Sequence, residues 1–155
     1  MSTEHDERTR YIGASMRLVW QWIWAQNFEG VVRAGYDDLT PAHAALFRYP
    51  TLDGCRLTDI AHQMQITKQS VHEFVGHLET RGYLVREPDP ADRRARVVRL
   101  TARGRRLETV IRAQARNAEE QIAAMLGPRR FGQLRQALDD LVPRLPRTDH
   151  EPTPR

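Results

Sequence analysis

Apolar residues recur at the intervals of three and four that are typical of helices, and they predict a mostly helical chain. The first helix is expected over residues 9–34. Its apolar face carries Ile12, Met16, Val19 and Ile23. Thr40 and Pro41 mark the start of a second helix, because threonine caps free backbone amides and proline is tolerated in the first turn. This second helix is expected to run to residue 49 and to end before Pro50.

Two short helices joined by a tight turn are predicted next. Thr58 is the expected cap of a helix that ends near Met64. Thr67 is the expected cap of another helix that ends near Arg81, where Gly82 stops it. The inward face of the later helix carries Val71, Phe74, Val75 and Leu78. Two helices this short and this close together predict a helix-turn-helix.

A basic hairpin is expected after the helix-turn-helix. Its strands are predicted over residues 83–85 and 97–100, and the prolines and aspartates of residues 87–94 favour a turn between them. The segment 83–106 holds eight arginines and three acidic residues, a net +5, whereas the whole chain has a net charge of +4. The rest of the chain therefore nets −1, and the clustering of positive charge favours a nucleic acid as partner.

Two further helices are expected towards the C-terminus. Thr101 caps a long helix over residues 102–126, which Gly127 ends, and the last helix is predicted over residues 129–142. The last helix carries a heptad-like series of apolar residues that favours a dimer: Phe131, Leu134, Leu138, Leu141 and Leu145. The tail 146–155 is rich in proline and charge and is expected to be disordered.

These elements predict a mainly α fold, a winged helix-turn-helix with a two-stranded β wing and with N- and C-terminal dimerisation helices. Within a single structural domain, we expect four parts. They are an N-terminal dimerisation helix (1–35), a DNA-binding lobe (36–101), a C-terminal pair of dimerisation helices (102–145) and a tail (146–155). The second helix of a helix-turn-helix fits the DNA major groove, and a basic wing reaches the backbone or the minor groove. The sequence therefore predicts a DNA-binding protein.

Residues 39–106 resemble the MarR family of bacterial transcription regulators. The resemblance rests on Asp89-Pro90-Ala91-Asp92-Arg93-Arg94 in the wing and on Val97-Val98-Arg99-Leu100-Thr101-Ala102-Arg103-Gly104 at its exit. It implies a homodimer that binds a pseudo-palindromic operator in double-stranded DNA. It also implies a small-molecule pocket between the dimerisation helices and the lobe. On this resemblance we expect a repressor that leaves its operator when a small ligand binds.

DNA contacts are expected from the outer face of the second helix of the motif and from the wing. The candidates are Lys68, Gln69, Ser70, His72, Glu73, Arg93, Arg94 and Arg96. The resemblance implies that Arg94 enters the minor groove, oriented by a salt bridge from Asp92; alternatively, this pair only stiffens the hairpin. Glu73 departs from the family, which commonly has arginine there. It either accepts a hydrogen bond from cytosine N4 or is solvated and paired with Arg81 or Lys68.

Aromatic residues of the first two helices form a candidate effector pocket. Its expected residues are Met16, Trp20, Trp24, His43 and Phe47. The family resemblance implies phenolic or other aromatic carboxylates as ligands. The alternative is that the tryptophans serve packing and dimer contact only.

Other chemistry has less support in the sequence. Cys55, beside Arg56, allows an alternative, a redox-responsive regulator, and an architectural DNA-binding protein without an effector is another. We expect no metal or cofactor, because His72 and His77 are five residues apart and not four. Enzyme motifs such as a phosphate-binding glycine loop are missing, so we expect no enzyme. With no long apolar run and no secretory start, a cytoplasmic protein is expected.

Overall fold

The computed structural model describes residues 11–47 and 52–146. Within these residues the chain forms six α-helices, a two-stranded antiparallel sheet and a final 3-10 turn. In chain order they are α1 (Ile12–Arg33), α2 (Pro41–Leu46), α3 (Leu57–Met64), α4 (Lys68–Thr80), β1 (Leu84–Pro88), β2 (Arg96–Leu100), α5 (Ala102–Leu126), α6 (Pro128–Leu141) and the turn Val142–Arg144. The predicted winged helix-turn-helix, mainly α, is confirmed. The expected disordered tail lies outside the described residues, apart from Pro146.

Threonine caps begin three of the helices as predicted. The Oγ1 atoms of Thr40, Thr67 and Thr101 each accept a hydrogen bond from the backbone N–H three residues later. The cap predicted at Thr58 is wrong, because α3 begins two residues earlier, with Arg56 as its N-cap. Arg56 has an extended backbone that forms a β-bridge to Val97 of the wing, and this pairing fixes the start of the helix. A long-range contact therefore overrides the local capping preference.

The helix-turn-helix is formed by α3 and α4. Gln65, the C-cap of α3, adopts a left-handed φ of 54°, and this conformation turns the chain towards α4. The amide of Ile66 then donates to the carbonyl of Ala61 at 3.1 Å, which satisfies one of the free carbonyls at the end of α3. Helix α4 is the second helix of the motif and is called the recognition helix below.

The wing strands are longer than the sequence predicts. They pair in register from Leu84 opposite Leu100 to Pro88 opposite Arg96. Tyr83, expected as the first strand residue, precedes β1, and its carbonyl accepts a hydrogen bond from the Thr101 amide at 3.1 Å. The segment before α3 adds to the free edge of β2, because the Val98 amide donates to the Cys55 carbonyl at 3.0 Å. The wing is therefore attached along its length to the lobe.

The hydrophobic core lies almost entirely inside the lobe. Its largest fully buried side chains are Leu46, Leu52, Val71, Val75, Leu78, Tyr83, Leu84, Val98 and Leu107, with Val31 from α1. Helix α1 packs along α5, and Gly30 permits this close approach because the side chain of Gln114 occupies the space of its missing Cβ. No residue of α6 is buried. None of the helices in the described ranges has the length and apolar character needed to cross a membrane.

Candidate nucleic-acid interface and effector cavity

The recognition helix presents a polar face to solvent. Val71, Val75 and Leu78 are buried beneath it. Lys68, Gln69, His72 and Glu73 are exposed as expected, whereas Ser70 is half-buried. The amide of Ser70 donates to Thr67 Oγ1 at 3.1 Å, and the two hydroxyls are 2.9 Å apart. Ser70 is therefore engaged in the helix cap, and four of the five candidates on this helix form an open surface.

Glu73 is paired within the recognition helix. Its carboxylate accepts a hydrogen bond from Gln69 Nε2 at 3.2 Å, one turn earlier. The expected alternatives, pairing with Arg81 or with Lys68, are wrong, because the Arg81 guanidinium instead lies 3.1 Å from the His77 ring and 4.0 Å from Asp38. Gln69 and Glu73 therefore present a joined amide and carboxylate on the outer face of the helix.

Ion pairs sort the arginines of the wing region into two groups. Four of them are held by carboxylates: Arg86 by Glu79, Arg99 by Glu87, Arg103 by Asp38 and Arg105 by Asp53. Arg93, Arg94 and Arg96 are exposed and form no ion pair with any described residue. The eighth arginine of the segment 83–106, Arg106, is also exposed without an ion pair to the described part of the chain but lies on α5, so three of the four uncompensated arginines lie between the wing strands or at the start of β2.

Two ion pairs fix the position of the wing. At its base, Glu79 of the recognition helix accepts from the Arg86 side chain at 2.5 and 2.9 Å and from its amide at 3.1 Å. The Arg86 guanidinium lowers the pKa of Glu79. At the tip, the buried carboxylate of Asp89 lies 2.5 Å from the guanidinium of Arg56, which immediately precedes α3. The wing is thus clamped to both helices of the helix-turn-helix.

The expected salt bridge between Asp92 and the Arg94 side chain is wrong. Asp92 Oδ1 instead accepts a hydrogen bond from the backbone amide of Arg94 at 3.0 Å, and the Ala95 amide donates to the Asp92 carbonyl at 2.9 Å. Asp92 therefore shapes the turn through the backbone, and the Arg94 side chain stays free of it. The clamp between Asp89 and Arg56, 33 residues apart, was missed in the sequence. Neither residue has a local pattern that indicates the other.

A groove of about 360 Å³ joins the recognition helix to the wing. Its lining residues are Arg56, Leu57, Thr58, His72, Arg94, Ala95 and Arg96. The predicted site residues His72, Arg94 and Arg96 therefore come together, while Arg93 lies outside the groove. The N-terminus of α3 also faces this groove, and its free amides add positive potential. This arrangement fits a sugar-phosphate backbone running between helix and wing.

A second, mostly apolar cavity of about 490 Å³ lies between α1, α5 and the end of α2. It is lined by Trp20, Ile23, Asn27, Phe47, Ile111, Arg112, Ala115, Ala118, Glu119 and Ile122. Two of the five expected pocket residues, Trp20 and Phe47, belong to it. Helix α5 supplies more than half of the lining, a contribution that the aromatic pattern of α1 did not reveal.

Met16, Trp24 and His43 do not line the cavity, so the expected pocket is wrong in these three residues. Met16 is exposed, and Trp24 packs against the lobe core. His43 closes a capping box at the start of α2, where the Thr40 amide donates to its Nδ1 atom at 3.2 Å. Its ring is also stacked on that of His77, with centroids 3.7 Å apart. Burial and, to a smaller extent, the neighbouring His77 and Arg81 lower the pKa of His43. Its hydrogen bond and its stacked ring place it in the packing of the lobe.

Cys55 lacks the surroundings of a reactive thiol. Burial, and then the charge of Asp59, raise the pKa of Cys55 above its ordinary value, against the lowering expected from Arg56. The Arg56 guanidinium is instead occupied by Asp89. In residues 11–47 and 52–146, no group of three or more histidine, cysteine or acidic side chains is placed to hold a metal ion.

A polar network connects the start of α5 to the base of the wing. Tyr83, fully buried before β1, donates its hydroxyl to Asp38 at 2.5 Å, and Arg103 donates to both Asp38 and the Tyr83 oxygen at 3.0 and 2.9 Å. Burial, and next the bond to Asp38, raise the pKa of Tyr83 to about 12. Phe47 of the cavity packs edge-on against the Tyr83 ring, with centroids 6.3 Å apart. A chain of contacts therefore runs from the cavity to the wing.

The fold is a winged helix, and its groove has the shape and charge to accept a nucleic acid. A model of the MarR family matches residues 37–95 of the chain. Among curated proteins, the transcriptional activatory protein BadR of Rhodopseudomonas palustris is 31% identical over 67 residues. That match covers 43% of this chain and 38% of BadR, so it spans well under half of the relative's length.

Solved structures share the fold over most of their length. CouR from Rhodococcus jostii RHA1 bound to p-coumaroyl-CoA has a TM-score of 0.67 at 23% identity, covering 86% of this chain and 92% of that one. The transcriptional repressor CouR bound to a 23-mer DNA duplex has a TM-score of 0.70 at 22% identity, covering 91% and 99%. MarR from E. coli has a TM-score of 0.72 at 15% identity, covering 86% and 97%. The chain is therefore similar to the MarR family over residues 37–95 and shares the fold of these structures over most of its length.

Proposed function

We propose that this regulator binds a pseudo-palindromic DNA operator as a homodimer, represses transcription there and is released by a small, aromatic ligand. The groove between the recognition helix and the wing is the observation that carries this proposal. Its unpaired Arg94 and Arg96 lie beside His72 of the recognition helix, so one DNA segment can contact both elements. The proposed roles are a minor-groove or phosphate contact for Arg93, Arg94 and Arg96 and base contacts for Gln69 and Glu73.

A homodimer is proposed because the terminal helices leave their apolar faces uncovered. Exposed apolar side chains of α1 and its N-cap residue include Tyr11, Ile12, Met16, Val19 and Trp20. Those of the C-terminal elements include Leu134, Leu138, Leu141, Val142 and Leu145. A single chain cannot bury both series, whereas a two-fold partner with the same surfaces can. The dimer presents two recognition helices to successive major grooves, which are about 34 Å apart on one face of the duplex.

Release by a ligand is proposed on the position of the cavity. Its walls belong to α1 and α5, the helices of the proposed dimer, and to Phe47, which contacts Tyr83 at the base of the wing. A ligand that binds more tightly to one spacing of the two lobes shifts the dimer towards that spacing. If this spacing does not match the operator, DNA affinity falls by the same coupling free energy. CouR was solved both with p-coumaroyl-CoA and with DNA, which supports assigning both kinds of partner to this fold.

Repression is the proposed direction of regulation, with activation as the second candidate. CouR is named a repressor and BadR an activatory protein, and BadR matches 67 residues of this chain. A reporter placed behind the upstream DNA of this regulator separates the two. Repression is expected to lower the reporter signal when the protein is present, and activation would raise it. A cytoplasmic location accompanies this function, because the proposed partner is genomic DNA of a bacterial cell.

Binding of the purified protein to its own upstream DNA tests the proposal. A scrambled duplex of equal length is the control, and about 150 mM salt screens nonspecific phosphate contacts. We expect a preference for the upstream sequence of roughly 1,000-fold or more. Binding of both duplexes within about tenfold would instead identify an architectural DNA-binding protein. Oxidation of Cys55 is expected to leave operator affinity unchanged, and a loss on oxidation would restore the redox-responsive alternative.

A further inference from the structure

The apolar cavity contains one polar side chain that has no partner. Asn27 of α1 is 8% exposed, and its Oδ1 atom is buried without a hydrogen bond to any described residue. Around it lie mainly aromatic and aliphatic groups, among them Trp20, Phe47 and Ile111. A buried carbonyl oxygen without a donor loses its hydration and gains nothing in return. Such atoms are rare in native proteins, and each calls for a specific explanation.

Folding alone gives no reason for asparagine at this position. Leucine has a higher helix propensity and would fill apolar space, so both local structure and packing favour an aliphatic residue at position 27. The neighbouring inward residues of α1, Ile23 and Val31, follow that rule. A residue that disagrees with helix propensity and with packing, and that gains no hydrogen bond within the chain, is expected at ligand-binding sites.

We propose that Asn27 is the polar anchor of the cavity and selects ligands that carry a hydroxyl group on the buried end of an aromatic body. This proposal rests on the proposed function, since it specifies the ligand of the same cavity. A hydroxyl fits because it can donate to the amide oxygen and accept from the amide nitrogen. Rotating the Asn27 side-chain amide by 180° exchanges the positions of its oxygen and nitrogen atoms, and a hydroxyl group can bond to the amide in either orientation.

The charges at the cavity wall favour a neutral hydroxyl over a carboxylate at the buried end. Arg112 is paired with Glu108 at 2.8 Å, and Glu119 with Arg135 at 3.5 Å. Both charged lining residues are therefore already compensated by other side chains. A carboxylate pushed past them to Asn27 would be buried without a counter-charge, which is far more costly than burying a phenol. The volume of about 490 Å³ accommodates an aromatic body of two fused rings.

Two probes of equal shape test the anchor. In equilibrium dialysis against the full chain, 2-naphthol carries the hydroxyl, and 2-methylnaphthalene replaces it with a methyl group. We expect the unmodified protein to bind 2-naphthol about tenfold more tightly, the value of one buried hydrogen bond. Asn27→Leu is expected to abolish this preference. Asn117→Leu, the same substitution at an exposed site of α5 outside the cavity, is expected to keep the preference.

Thermal unfolding distinguishes the anchor from a structural role. Asn27→Leu removes an unpartnered polar group, so its Tm without ligand is expected to rise by about 2–4 °C. A fall in Tm together with a weakened dimer would instead show that Asn27 bonds to a second copy, and would overturn the proposal. Equal binding of both probes, no binding of either, or a preference that survives Asn27→Leu would also overturn it. The operator titration is independent of all these outcomes and decides the proposed function by itself.

Discussion

The DNA-binding lobe and the terminal helices bury their apolar residues to very different extents. Side chains of the lobe such as Leu78, Leu84 and Val98 are fully buried, whereas Leu134 and Leu138 of α6 are about 40% exposed. The wing is clamped by two ion pairs, but the ion pairs of the terminal helices lie on the surface. The lobe therefore has a buried core within one chain, whereas the apolar faces of the terminal helices stay uncovered. Under the proposed function, DNA binding and dimer assembly are tasks of separate surfaces.

The largest effect is expected from charges placed on the uncovered face of α6. The double variant Leu134→Glu/Leu138→Glu should be monomeric, because two carboxylates in each chain would be buried in the dimer contact. Operator affinity should then fall by about 100-fold or more, since each half-site is bound alone. Light scattering and operator titration measure the two effects. Gln133→Glu/Gln136→Glu adds the same charges to exposed polar positions of α6 and should remain dimeric.

A folded monomer that binds one half-site would support a lobe that folds by itself and a separate dimer surface on α6. Unfolding of the whole chain would contradict it, because the lobe would then lack a self-sufficient core. A variant that stays dimeric would remove α6 from the interface.

The close contact between α5 and Tyr83, the residue before β1, is expected to respond strongly to an added methyl group. Gly104→Ala places a Cβ where the carbonyl oxygen of Tyr83 lies, so it should destabilise the protein by about 3 kcal/mol. Gly76→Ala in the recognition helix is the matched control, because no atom lies within 4 Å of its added Cβ. That variant should gain about 1 kcal/mol through helix propensity. Urea unfolding at equal protein concentration measures both, and equal effects at the two sites would refute the packing argument.

The unpaired arginines of the wing tip are expected to contribute to affinity without affecting assembly. Arg94→Ala should weaken operator binding by at least about 1 kcal/mol with the dimer intact, and it should reduce the salt dependence of binding. Arg129→Ala removes an exposed arginine of α6 and should leave operator affinity unchanged. If Arg94→Ala and Arg129→Ala change operator affinity equally, the wing does not contact the DNA more than α6 does.

The ion pair between Asp89 and Arg56 allows a test in which charge and geometry predict opposite changes in operator affinity. Asp89→Asn removes a negative charge near the DNA, yet we expect weaker operator binding, because the wing loses its attachment to α3. Glu87→Gln removes an exposed carboxylate from the same hairpin and should strengthen binding slightly through charge alone. Stronger binding by Asp89→Asn would show that the clamp does not position the wing.

The same clamp gives stability a defined pH dependence. Hydrogen bonds from the Ala91 amide and from Arg56 lower the pKa of Asp89. Its stabilising effect is therefore complete above the ordinary aspartate pKa of about 4 and is lost as pH falls through the lower value of the folded protein. The difference in unfolding free energy between the unmodified protein and Asp89→Asn should shrink over that acidic range. A difference that persists at lower pH would mean that the carboxylate charge is not its source.

Local signals in the sequence predicted most of the fold. Thr67 and Thr101 cap the helices that follow them, because a cap depends on residues within one helical turn. Thr58 has the same chemistry and failed, since α3 begins where Arg56 pairs with a strand of the wing. Contacts between residues far apart in the chain decide such cases, and a single sequence does not display them.

The site residues likewise divide into those predicted from local signals and those that depend on contacts between distant parts of the chain. Exposed residues of the recognition helix follow from helical periodicity, so His72 was placed correctly on the outer face. The arginines of the wing were indistinguishable in the sequence, because only the folded chain brings Glu79 and Asp53 to two of them. His43 was assigned to the pocket from its neighbourhood on α2, whereas capping and stacking on His77 turn it the other way.

Under the proposed function, pairing half of the eight arginines of residues 83–106 with carboxylates also sets how strongly ionic strength controls operator binding. Arg93, Arg94, Arg96 and Lys68 are the cations left for phosphate in each DNA-facing surface of the described chain. Two subunits bring roughly eight such charges to an operator, and each displaces about 0.9 of a condensed counterion. Operator affinity should then fall with about the seventh power of salt concentration, so doubling the salt concentration should weaken binding about 100-fold. Occupancy of the operator is thereby tied to osmotic conditions even when no ligand is present.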